Sequence, residues 1–143
     1  MASDSRGTPP GPPPGERILV IGGGYVGMYT ALRLQRKLKQ RLKSGETEIV
    51  VVTPDPYMTY QPFLPEAAAG SISPRHVVVP LRRVLDHCTI VIGEARQIDH
   101  AKRTATVTTL ASGEDGTGAM EIPYDEIVIA PGSVSRTLPV PGL

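Results

Sequence analysis

The sequence predicts an α/β fold: a parallel sheet grown around a βαβ unit, with a small antiparallel β-meander inserted ahead of the last strand. Three observations lead there. Short apolar, partly β-branched runs at residues 17–21, 48–53 and 127–130 have the composition of buried parallel strands. Between the first two, Gly27, Ala31, Leu34, Leu38 and Leu42 recur at helical spacing and define one face. Residues 105–110 alternate instead, Ala105, Val107 and Thr109 against Thr106, Thr108 and Leu110, as in a half-exposed antiparallel strand.

Each element has a local reason. The first strand, Arg17-Ile18-Leu19-Val20-Ile21, runs directly into Gly22-Gly23-Gly24-Tyr25-Val26-Gly27. The helix that follows ends at Lys43-Ser44-Gly45, where Gly45 suits a left-handed cap. Strand, helix and strand within about 36 residues form a βαβ unit, which implies a right-handed crossover. Beyond it, Pro54, Pro56, Pro62 and Pro65 break up the chain. One or two helical turns are expected at residues 64–69, a brief strand at 77–79, and a short helix at 80–86 with proline in its first turn. Residues 89–92 read as a third strand, 113–118 as a polar turn, and 120–122 as a strand pairing back across it. Residues 127–130 are expected to be a further buried strand, ending at Pro131-Gly132-Ser133. Residues 1–15 hold Pro9, Pro10, Pro12, Pro13 and Pro14 and are expected to form a disordered tail, and 16–143 a single domain.

Composition excludes several functions. With 40% hydrophobic and 20% charged residues, the chain is neither wholly disordered nor collagen-like. The net charge of +1 names no partner. No Trp, one Phe and five Tyr leave little with which to stack bases, so nucleic acid is not an expected partner. The single cysteine, Cys88, rules out an internal disulfide or a thiol pair, and His76, His87 and His100 lack metal-ligand spacing. No run approaches the roughly 20 apolar residues of a bilayer span, and no signal peptide is visible. A cytoplasmic protein is expected, at most on the cytoplasmic face of a membrane.

Gly22-x-Gly24-x-x-Gly27 is a dinucleotide fingerprint in the context it requires, after a strand and at the start of a helix. The first glycine permits a tight turn, the second lets backbone approach a pyrophosphate, and the third lets helix and strand pack closely, as in a Rossmann-like sheet. Free amides near Tyr25 and Val26, with the helix dipole behind them, point at the phosphates. No acidic residue occurs from Arg17 to Gly45, while Arg33, Arg36, Lys37, Lys39, Arg41 and Lys43 crowd the helix's second half, read as a solvated face. The acid that ordinarily ends the second strand and takes the ribose hydroxyls is replaced by Thr53. Thr53 or Asp55, two residues further on, is expected to serve the ribose.

These residues resemble the flavin-binding half of the two-dinucleotide-binding-domain flavoproteins, and type II NADH dehydrogenases in particular. The resemblance rests on RILVIGGGYVGMYTALRL (17–34), YMTYQPFLPEAAAG (57–70), GEARQID (93–99) and DEIVIAPGSVSRTLPVPGL (125–143). It implies FAD at the glycine loop, Gln61 and Pro62 near the flavin ring, the backbone of Ala95 at the adenine, and Ala130 to Gly132 beside the cofactor. It implies NADH and a quinone as reactants of the full-length family. Disulfide reductases of the superfamily carry a cysteine pair after the second strand; residues 61–70 contain none, which excludes that chemistry here. No second glycine fingerprint follows Gly27, so the chain is read as the first portion of a longer enzyme, with membrane association left to a C-terminal region beyond it. The competing reading is a non-catalytic FAD- or dinucleotide-binding fragment prone to self-association; a stand-alone NAD module is the third. No catalytic acid or base is singled out.

Overall fold

The computed structural model describes residues 15–109 and 118–133. Eight strands and four helices follow one another as β1 (Glu16–Ile21), α1 (Tyr25–Lys37), α2 (Lys39–Ser44), β2 (Thr47–Thr53), β3 (Tyr57–Thr59), α3 (Leu64–Ala68), β4 (Val78–Pro80), α4 (Leu81–Val84), β5 (Thr89–Asp99), β6 (Thr104–Thr109), β7 (Ala119–Pro123) and β8 (Glu126–Ile129). Short 3-10 turns occupy Gln61–Phe63 and Pro74–His76. Most of the expected tail, the 113–118 turn and the segment after Ser133 lie outside the described residues.

Six strands form one sheet in the order β7-β6-β5-β2-β1-β8, and β3 and β4 pair separately. β1 lies parallel between β2 and β8, so its centre is covered on all sides: Leu19 and Val20 are fully buried, as are Ile49, Val50 and Val51 of β2. Full burial of an aliphatic side chain stabilises by about 1.5–3 kcal/mol. The two faces of the sheet carry two cores. Ile18, Val20, Ile49 and Val51 meet Met28, Ala31, Leu81 and Leu85 on the helical side. Leu19, Ile21, Val50 and Val52 meet Val91, Val107, Ile122 and Tyr124 on the meander side.

At the end of the sheet away from the glycine turn, Arg17 is buried and bonds Glu48 through Nε and Nη2, both at 2.9 Å from Oε2. Glu48 also accepts the Thr89 hydroxyl at 3.0 Å. Asp125 fastens β8 to β1: its carboxylate accepts the Arg17 amide at 2.7 Å, and its own amide donates to the Arg17 carbonyl at 2.9 Å.

Three expectations are corrected. The expected single helix is divided at Leu38 (φ −99°, ψ 14°), although Gly45 does adopt the left-handed cap (φ 76°). At ~100° per residue the apolar stripe drifts by about 60° between Gly27 and Leu42 in a straight helix. The break at Leu38 lets Leu34, Leu38 and Leu42 all pack on the same core. Second, the third strand runs on to Asp99: residues 89–92 pair parallel with β2, and 93–99 pair antiparallel with β6 across a bulge between Ala95 and Gln97. Third, residues 127–130 are not a buried strand. Among the described residues β8 pairs only with β1, at the edge of the sheet, and Ile129 is 63% exposed. Among the described residues no helix is long and apolar enough to cross a membrane.

Candidate functional site

At the C-terminal ends of β1, β2 and β8 the sheet opens into a cleft of about 640 Å³. This is where an open parallel sheet binds ligands, outside the carboxyl ends of its strands. Its floor is the glycine turn, and each glycine answers a different steric demand. Gly22 has φ +105°, and a Cβ there would lie 2.0 Å from the Ala130 carbonyl oxygen. Gly27 lies on α1 where a Cβ would come 1.8 Å from the Gly22 carbonyl oxygen, so helix and turn meet backbone to backbone. Gly23, an unspecified position in the fingerprint, is hemmed in: a Cβ there would lie 2.6 Å from Thr53 Oγ1 and 2.7 Å from Leu81 Cδ1.

Gly24 is the exception. Its backbone is ordinary (φ −75°, ψ −161°), and a Cβ there would meet nothing within 4 Å. Neither conformation nor packing against the protein requires a glycine. The residue leaves space open over the start of α1.

The amides of the turn divide between structure and solvent. Gly22 donates to the Val52 carbonyl at 2.8 Å, and Ala130 donates to the Ile21 carbonyl at 2.8 Å, so the turn is stitched to both neighbouring strands. The amides of Gly23 and Gly24 donate to no other described residue. The first bond of α1 runs from Met28 to Gly24, which leaves the amides of Tyr25, Val26 and Gly27 without intrahelical acceptors. The first turn of α1 contains no acid, and Arg36 and Lys37 occupy its last turn. The N-terminal end of α1 is thus an uncompensated positive pole of the helix dipole, suited to an anion.

Gly22, Gly24, Tyr25, Val26, Thr53, Asp55, Gln61, Ala130 and Gly132 all line this cleft. Gly27 does not; it holds helix to turn. Pro62 lies beside Gln61 in the 3-10 turn without lining the cleft, and Ala95 sits at the β5 bulge, half-buried against the meander-side core. Sequence reasoning passed over Gly23, Tyr57, Met58, Thr59 and Ile129, which also line it. The steric crowding of Gly23 against Thr53 is a contact between two strands' ends and leaves no trace in a linear pattern.

Thr53 is buried, and its hydroxyl donates to the Asp55 carbonyl at 3.2 Å. Asp55 is exposed and is the one acid among the lining residues. On the far wall, the Tyr25 hydroxyl accepts the Gln61 amide at 3.0 Å. The Tyr25 and Tyr60 rings lie 6.0 Å apart, and Tyr60 meets Phe63 edge-on at 4.9 Å.

Other reactive side chains lie elsewhere. Cys88 packs beside the helical-side core and donates to Gln35 Oε1 at 3.5 Å. Burial, helped by the charge of Asp86, pushes its thiol up to about 12, so it is protonated and unreactive at neutral pH. His87 and Cys88 precede β5 rather than alternating within it, and the His87 amide shares Gln35 Oε1 at 3.4 Å. Among the described residues no three His, Cys, Asp or Glu side chains converge as a metal site.

A six-stranded sheet opening above a glycine turn and a bare helix start defines a dinucleotide-binding α/β protein. Comparison with known proteins narrows the class. The family model of the pyridine nucleotide-disulphide oxidoreductases matches residues 11–143, and the chain belongs to that family. It is 29% identical over 139 residues to the mitochondrial external alternative NADH-ubiquinone oxidoreductase of Yarrowia lipolytica, covering 94% of this chain and 22% of that protein. It is 30% identical over 131 residues to a type II NADH:quinone oxidoreductase of Staphylococcus aureus, covering 90% of this chain and 29% of that protein. Among solved structures, the sulfide:quinone oxidoreductase of Aquifex aeolicus superposes with a TM-score of 0.63 at 28% identity, over 82% of this chain and 24% of that one. NDH2 from Plasmodium falciparum, solved in complex with NADH, has the same fold, with a TM-score of 0.71 at 19% identity over 89% of this chain and 24% of that one. The chain spans about a quarter of the length of the curated relatives it matches.

Proposed function

We propose that residues 16–143 form the FAD-binding portion of a flavoprotein oxidoreductase that passes electrons from NADH through FAD to a quinone. The observation that carries this reading is Gly24: the space above it is empty where a Cβ would stand, and the unbonded amides of Gly23, Tyr25 and Val26 border that space. A diphosphate would meet these three donors and a helix's positive pole without displacing any protein contact. Asp55 is the assigned acceptor for the ribose hydroxyls, because its carboxylate is charged and exposed at the cleft, whereas Thr53 is buried. Gln61 and the Ala130–Gly132 backbone border the remainder of the cleft, where the ring is assigned.

FAD, when bound, supplies the two-electron acceptance and stepwise release that link a hydride donor to a quinone. The chain's own residues bind and orient it, exclude water along the Ile129 and Met58 walls, and place the ring at the mouth of the cleft. The relatives' names carry the donor and acceptor assignments, and the chain's coverage of about a quarter of their length makes these a proposal for the whole protein.

Titration of the purified chain with FAD, read by flavin fluorescence, tests the reading. Saturable binding with a yellow product is expected, with NAD binding at least about tenfold weaker. A colourless chain that takes up no FAD supports the fragment reading instead, and tight NAD binding without FAD supports a nicotinamide module.

A further inference from the structure

The segment of residues 61–70 meets the cleft at Gln61. Its residues are exposed apart from Ala67, which is half-buried. Its internal bonds, such as Ala69 to the Pro65 carbonyl at 2.9 Å and Gly70 to the Ala67 carbonyl at 3.1 Å, close turns on themselves. The strand pair before it anchors its start: Met58 is buried, and the Tyr60 amide donates to the Val77 carbonyl at 2.7 Å. Among the described residues, the single hydrogen bond joining 61–70 to the glycine-turn unit is the Gln61 amide to the Tyr25 hydroxyl, at 3.0 Å.

Tyr25 stands at a position the glycine fingerprint leaves open, so its side chain is not demanded by diphosphate binding. Its amide faces the diphosphate site, while its ring crosses to the other wall, meets Tyr60, and presents its oxygen to Gln61. One residue therefore belongs to both ends of the cleft. We propose that Tyr25 is a positioning residue that fixes the Gln61 wall relative to the diphosphate turn and thereby sets the seat of the flavin ring. The inference rests on the proposed FAD site and deepens it.

The mechanism separates the two halves of the ligand. The diphosphate end is set by backbone amides that Tyr25→Phe leaves in place. The ring end depends on where Gln61 is held, and that variant removes the oxygen that holds it. The comparison is therefore FAD against ADP, which shares the adenosine diphosphate half and lacks the ring. In the wild-type chain FAD is expected to bind more tightly than ADP. In Tyr25→Phe, FAD affinity is expected to fall about five- to tenfold, the loss of one hydrogen bond, while ADP affinity stays within about twofold. The bound flavin's absorption envelope is expected to shift toward that of free FAD. Tyr60→Leu, which removes the ring contact at a residue outside the cleft lining, is expected to repeat the pattern at smaller amplitude. Thermal melts within about 2 °C of wild type establish that both variants fold.

Unchanged FAD affinity in Tyr25→Phe overturns the inference. So does an equal loss for ADP and FAD, which would place the effect at the diphosphate turn. A wild-type chain that binds neither ligand overturns the proposed function itself. A wild-type chain that binds both, with a variant that behaves identically, overturns only the role of Tyr25.

Discussion

The two walls of the cleft are built on opposite principles. The glycine wall is continuous with the centre of the sheet: Val20 and Val51 beneath it are fully buried, and Gly22 and Gly27 meet carbonyl oxygens at distances no side chain tolerates. The facing wall meets the cleft at Gln61; the segment behind it, residues 62–70, displays Phe63 at 48% and Leu64 at 44% exposure, and among the described residues one hydrogen bond joins this side to the glycine turn. The first wall is determined by packing before any ligand arrives. The second is only weakly determined by the chain, so ligand contacts there have more to settle. A cofactor with a rigid diphosphate contact and an adjustable ring contact suits that division.

The largest effect expected from breaking this contrast is at Gly27. Gly27→Ala puts a methyl group 1.8 Å from the Gly22 carbonyl oxygen, and the obstacle is backbone. The helix must lift from the strand, at a cost of about 3 kcal/mol or more, read as a lowered urea midpoint. Gly22→Ala combines a 2.0 Å clash with φ +105° and is expected to cost a similar amount. If either variant melts like wild type, the glycine wall is not the rigid one.

Gly24→Val sharpens the contrast by separating binding from stability. With nothing within 4 Å of its Cβ, it is expected to leave stability within about 1 kcal/mol, allowing for the β-branched residue at a helix start. FAD affinity is expected to fall about tenfold or more, because the side chain fills the proposed diphosphate space. A stable variant with wild-type affinity would move the diphosphate elsewhere. On the opposite wall, Leu64→Ser is expected to change stability by less than about 0.5 kcal/mol, as an exposed position should. A larger loss in the urea midpoint would show that wall to be packed.

A last effect concerns pH, well away from the cleft. The Cys88 thiol is held protonated in the fold up to about 12, whereas an unfolded chain releases that proton near 9.0. Between those values the native state binds more protons than the unfolded one, so stability falls as pH rises through that window. The Cys88→Ala variant should lack this slope. Urea midpoints for both chains at pH 8 and pH 10 check it, and parallel slopes would refute it.

Much of this arrangement was legible in the residues. The runs at 17–21 and 48–53 are apolar on both faces because both strands are interior, and periodicity reports such burial directly. Ala105 and Val107 alternate with threonines because β6 packs one face only. The misjudged elements share a cause. Ile127, Val128 and Ile129 have the composition of an interior strand, yet β8 closes the edge of the described sheet; composition gives hydrophobicity, not the number of neighbours. Residues 93–99 look polar because that end of β5 leaves Glu94, Arg96 and Gln97 exposed, and the β6 partner that makes it a strand follows it in the chain.

The amino-acid order alone determined the βαβ unit and the amide-lined turn at its heart, because each depends on residues within a few turns of one another. Only the tertiary structure decided which face Thr53 presses on, that Gly24 opens onto empty space, and that Tyr25 holds the Gln61 wall from 36 residues away. Those outcomes depend on how strand ends and turns converge above the sheet, and such convergence is set by the packing of the whole core rather than by any local preference.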